Sequence, residues 1–145
     1  MSNGLHVPVM MLPRFDELVE AINHPLIELK MSVKDVVVGI GVGKGVNLND
    51  KFVLVQNLEK DNLCWVSFFF LEETIREESE QDLPVMAHVF SRLKKNSSFA
   101  IAVAYAIASG LGGRIIYDDA HLYLGGVDSL SLGSVKELYL SKDIR

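Results

Sequence analysis

Asp118, Asp119 and His121 form the tightest acid–histidine cluster in the chain, set between Tyr117 and Leu122. A carboxylate beside an imidazole can orient a general base or support a metal ligand. The same residues are ordinary turn chemistry. Asp-Asp ahead of Leu122-Tyr123-Leu124 reads as the tip of a tight β-hairpin, closed by Gly125-Gly126. Alternation from Leu122 then sends His121 to the opposite face. No G-x-S-x-G motif supplies a nucleophile, and Gly133-Ser134-Val135 is not one. The expectation is a turn, with a small enzyme built on Asp118, Asp119 and His121 as the alternative.

Gly39-Ile-Gly-Val-Gly-Lys44-Gly45-Val46 invites a phosphate-loop reading, which its spacing refutes. A P-loop needs glycine where Val38 stands and Ser or Thr at Gly45. The dinucleotide pattern would need glycine at Lys44. Glycine in a strand more often marks a bulge or a close approach. His6, His24 and His88 are scattered, and Cys64 beside Trp65 is a small buried hydrophobe. A single cysteine excludes an internal disulfide and a CxxC zinc site. No cofactor and no metal are expected.

The segment from Glu72 to Asp82 carries Glu72, Glu73, Glu77, Glu78, Glu80 and Asp82 against Arg76 alone. Six negative charges and one positive equal the formal net charge of the whole chain, −5. This is either a solvated face or a docking surface for a basic partner, where carboxylates speed encounter and exclude wrong partners. Glu72, Glu73, Glu77 and Glu78 share one face if the segment is helical. An acidic balance disfavours nucleic acid. The longest apolar stretch, 99–113, is too short to cross a bilayer and is broken by glycines. The N-terminus shows no signal-peptide pattern, so a cytoplasmic chain is expected.

The elements that must position these residues follow from periodicity. At 145 residues one domain, 1–145, is expected. Leu5 to Leu12, with Pro8 inside it, suits an edge strand or an extended lead-in. Helices are expected at 14–22, ending near Asn23-His24-Pro25, and at 83–94, with Val85, Met86, Val89, Phe90 and Leu93 inward and His88 beside them. A third, 99–109, alternates large residues with Ala100 to Ala108 and is apolar all round, hence buried all round. Ser97 and Ser98 would cap it, and Gly110 would take the left-handed position at its end. Strands 36–42, 52–55 and 63–71 are spaced for an antiparallel meander, and Arg114–Tyr117 adds another. Ser134 to Glu137 fits a capping box opening a short terminal helix, with a strand Lys136–Leu140 as the competing reading.

From Phe99 to Asp119 the order is an alanine-rich helix, a Gly-Gly turn, a short strand and an acidic hairpin. This stretch resembles the C-terminal half of small immunity proteins of bacterial polymorphic-toxin and contact-dependent inhibition systems. The resemblance implies a compact, acidic protein without catalytic activity that neutralises a cognate toxin domain by binding it. It carries over no binding residue.

The reading is therefore an α+β fold: a mainly antiparallel sheet of about five strands packed against helices. Its function is binding of a toxin domain through Glu72, Glu73, Glu77, Glu78, Glu80 and Asp82, with neither nucleic acid nor membrane as partner. Behind it stand the enzyme at Asp118–His121 and a regulatory homo-oligomer.

Overall fold

The computed structural model describes residues 4–40 and 52–141. The fold is α+β, with seven antiparallel strands among the described residues rather than about five. In chain order they are β1 (Leu5–Val9), β2 (Val36–Ile40), β3 (Phe52–Asn57), β4 (Asn62–Phe70), β5 (Val85–Phe90), β6 (Ile115–Tyr117) and β7 (Ser129–Ser131). They lie in the order β2-β3-β4-β5-β1-β6-β7. The expected meander is present as β2-β3-β4, and β5 continues it. Gly41 to Val46, the rest of the glycine-rich stretch, and the turn at 47–51 lie outside the described residues.

The expected helix 83–94 is a correction, because 85–90 is strand β5. Val85, Ala87 and Val89 are buried on one face, Met86, His88 and Phe90 are half-buried on the other, and Leu93 is exposed. Both faces are apolar, so a helical stripe and a strand alternation both fit these residues. Pairing decides: β5 is bonded to β4 on one side and β1 on the other.

β1 is likewise interior rather than an edge. Pro8 is tolerated there because His6↔Tyr117 is its one register pair with β6. The missing N–H faces a position where no ladder bond is made.

The three α-helices among the described residues, α1 (Phe15–Glu28), α2 (Ser97–Gly110) and α3 (Leu132–Leu140), cover one face of the sheet. α1 runs past the expected stop at Asn23-His24-Pro25, with Pro25 inside it. α2 packs on β1, β4, β5 and β6, with α1 and α3 at its sides. Phe99 through Ala108 are all buried, as an all-apolar helix requires. Its cap differs from expectation, since Asn96 holds the cap position and Ser97 and Ser98 lie in the first turn. Gly112, not Gly110, takes the positive φ at its exit, 79°. The last helix is capped by the Ser131 side chain, which accepts from the Ser134 N–H at 3.3 Å, one turn before the expected start.

The expected hairpin 117–124 does not form. β6 pairs instead with β7, and residues 118–128 make a long loop between them.

Candidate functional site

The face of the sheet away from the helices collects the aromatic residues. Register pairs set them in rows across the strands. One row runs Phe52–Ser67–His88–His6–Tyr117, the next runs Leu54–Trp65–Phe90, and Phe69–Met86–Pro8 flanks the other side. His88 stacks between His6 and Phe90, with ring centroids 4.7 and 4.8 Å away. Phe52 meets Phe90 edge-on at 6.2 Å. Phe52, Phe69 and Val37 are exposed, and a Cβ built on Gly39 would meet nothing within 4 Å. Gly39 therefore marks neither a close approach nor a helix contact. Burial, then the neighbouring His6, hold the His88 imidazole down at about 4. Reading 83–94 as a helix hid this arrangement, in which His88 is an element of the open face.

The acidic segment crosses one end of that face. It is not helical beyond two single turns, Glu73–Ile75 and Glu78–Glu80. Arg76 folds it on itself, donating to the Leu71 carbonyl at 2.9 and 3.1 Å and to the Gln81 carbonyl at 2.8 Å. Two of the six acids are occupied by the fold. Glu80 is buried and accepts from the Tyr117 hydroxyl, whose pKa is raised by burial and then by Glu80. Asp82 takes a two-pronged contact from Arg114, at 2.8 and 3.0 Å, which lowers its pKa. Glu72, Glu73, Glu77 and Glu78 are exposed, as are Ile75, Phe69 and Phe70, the last two on opposite faces of β4. A cleft of about 300 Å³ lies between this segment and the sheet, lined by His6, Ile75, Glu77, Met86, Tyr117 and Asp119 among others.

The opposite end carries both signs of charge, with Arg92 and Lys94 near the exposed acids Glu59 and Asp61. A wider, open cleft of about 790 Å³ is bordered by His88, Phe90, Arg92, Lys94, His121 and Leu122. Lys95, nearby, is paired with Asp61 at 3.0 Å.

The acid–histidine cluster is not brought together. Asp118 is fully buried and accepts the N–H groups of Leu122, Tyr123 and Leu124 at 3.1, 2.9 and 2.7 Å. Its lone pairs are spent shaping the loop. Asp119 is exposed, and His121, at a positive φ of 57°, contacts Asp128 instead. Asp128 raises the His121 pKa first by hydrogen bonding and then by its charge. Asp128 was missed in sequence; the glycine pair Gly125-Gly126, which returns the loop to it, was the available signal.

Cys64 is buried and its thiol pushed far up by desolvation, so it is not a thiolate at neutral pH. Among the described residues, no group of three His, Cys, Asp or Glu side chains is placed to hold a metal ion. No described helix is long and apolar enough to cross a membrane. Compared with known proteins, the chain matches no family model, no curated protein and no solved structure.

Proposed function

We propose that this chain is a non-enzymatic binding protein that neutralises a cognate bacterial toxin domain in the cytoplasm, in the manner of an immunity protein. One observation carries the reading. Glu72, Glu73, Glu77 and Glu78 are exposed in a segment that also exposes Ile75, at 65%, and follows the exposed strand-end residues Phe69 and Phe70, at 39% and 59%. Exposed apolar residues close in sequence to a concentration of one charge suit a docking surface for a basic partner. The charges set encounter rate and selectivity, and the apolar residues supply affinity. Glu80 and Asp82 belong to this segment as its fixings: one is tied to Tyr117, the other to Arg114.

The experiment is association of the chain with the toxin domain encoded beside it, at low and high salt. Glu72→Gln, Glu73→Gln, Glu77→Gln and Glu78→Gln together remove charge with little change of volume. The variant should melt normally, associate about tenfold more slowly at low salt, and lose most of the salt dependence. Ile75→Ala should instead raise the dissociation rate. An unchanged association rate and salt dependence would reduce the segment to a solvated face.

A further inference from the structure

We propose that the cleft between the acidic segment and the sheet is a pocket for one long cationic side chain, a lysine of the basic partner. Its stem would lie along the apolar walls and its ammonium group would end among carboxylates. The inference rests on the docking reading and adds to it the point at which the partner is held. The segment 71–83 roofs the β1 and β6 side of the helix-free face, leaving the cleft of about 300 Å³ beneath it. Ligand pockets run from about 300 to 1,000 Å³, so this one suits a single extended side chain.

The walls divide by chemistry. Leu71, Ile75, Leu83 and Met86 supply apolar surface for a methylene stem. Glu77 and Glu80 from the segment, and Asp119 from the loop after β6, supply negative charge. The three surround one point. Burial raises the pKa of the Tyr117 hydroxyl most, and Glu80, Glu77 and Asp119 each raise it further.

Glu80 is the decisive group. It is 6% exposed, and its Oε2 accepts from Tyr117. Its Oε1 accepts no bond among the described residues and stays accessible from the cleft. A carboxylate this buried calls for a cation as well as a neutral hydroxyl. The nearby cations are committed elsewhere. Arg76 lines the cleft, yet its three nitrogens donate to the Leu71 and Gln81 carbonyls. Arg114 is held by Asp82 and the Ser79 carbonyl. Burial lowers the His6 pKa more than Asp119 raises it, so that ring is neutral at neutral pH. Among the described residues, none of Glu77, Glu80 and Asp119 is in an ion pair. Lysine suits the arrangement better than arginine. An ammonium is compact, and its three rotatable donors can serve acids on different sides, whereas a guanidinium fork matches one carboxylate edge.

Two measurements test the pocket. In the first, the chain alone is titrated with n-butylammonium, and with n-butanol as the uncharged match, while amide resonances are followed. Butylammonium should give saturable shifts at His6, Ile75, Glu77, Glu80 and Tyr117 with a dissociation constant of about 10 mM, and butanol should bind at least about tenfold more weakly. In the second, dissociation of the toxin is timed. Glu80→Gln keeps an acceptor for Tyr117 and removes the charge. It should raise the dissociation rate about tenfold and leave the association rate within about twofold, because a carboxylate beneath the surface holds a docked group without steering it. Asp119→Asn, at an exposed position outside the acidic segment, should raise dissociation about threefold. Shifts that never saturate, or that appear equally at Glu72, Glu73 and Glu78, overturn the proposal. So does a toxin that leaves Glu80→Gln and Asp119→Asn as slowly as it leaves the parent chain. A toxin that does not bind removes the docking reading instead, and the butylammonium titration still decides the pocket.

Discussion

Gly110 of α2 abuts the backbone carbonyl of Ala21 in α1, so closely that a Cβ there would lie 2.4 Å from the oxygen. Ala21 stands four residues before Pro25, and proline has no N–H to return to that carbonyl. A proline in one helix and a glycine in the other thus meet at one peptide group, where a Cα–H can approach the oxygen. Gly110→Ala should push the helices apart and cost about 1–3 kcal/mol despite alanine's better helix propensity. Urea unfolding measures it; a stabilised variant would mean that the helices separate freely.

The interior of α2 leaves no room for charge. Ala104 is wholly buried in α2, a helix flanked by α1, α3 and the sheet. Ala104→Asp should cost several kcal/mol, a large share of the about 5–15 kcal/mol available to a domain, and is expected to abolish a cooperative melt near the wild-type temperature.

Asp118 is a structural acid. Asp118→Ala orphans three N–H groups at 3.1, 2.9 and 2.7 Å and should cost about 2–4 kcal/mol. Asp119→Ala, at an exposed position, should change stability by about 0.5 kcal/mol or less. Thermal melts of the two variants side by side distinguish this from a plain turn, in which both would be silent.

The stacked histidines predict a direction of acid sensitivity. Burial lowers the pKa of both rings, His88 to about 4, with Asp119 partly opposing the shift at His6. A histidine whose folded pKa lies below its unfolded 6.5 contributes fully above 6.5 and loses that contribution as pH falls toward 4. The loss should be about 1–2 kcal/mol, discounted because water reaches part of the stack. His121 runs the other way: its pKa is raised, so its contribution is present below 6.5 and fades as pH rises through the folded value. His88→Phe should flatten the melting-temperature profile between pH 6.5 and 4; an unaltered slope would assign it to carboxylates elsewhere.

The meander and the buried α2 were legible because strand spacing and an all-apolar helix leave few alternatives. β5 was not, because Val85, Met86, Val89 and Phe90 satisfy two periods at once, and only β4 and β1 on its flanks choose between them. The acidic segment was legible as composition and not as shape. Glu80 and Asp82 are fixed by Tyr117 and Arg114, 37 and 32 residues away in sequence. Asp118 was visible as a turn former, while its capture of three amides depends on a loop path that no local pattern encodes.

Pro8 gives the sheet a seam. Between β1 and β6 the register consists of His6↔Tyr117, whereas β1 and β5 are matched at five positions from Leu5↔Val89 to Val9↔Val85. Beyond the seam lie β6, β7 and α3, tied to the remainder by packing of α3 and β6 on α2 and by the side-chain bonds of Arg114 to Asp82 and Tyr117 to Glu80, rather than by a continuous ladder. Cooperative opening should therefore divide there. The amides of Ile115–Tyr117, Ser129–Ser131 and the last helix should exchange with solvent as one group, ahead of β3, β4 and β5, while α2 stays protected with the larger unit.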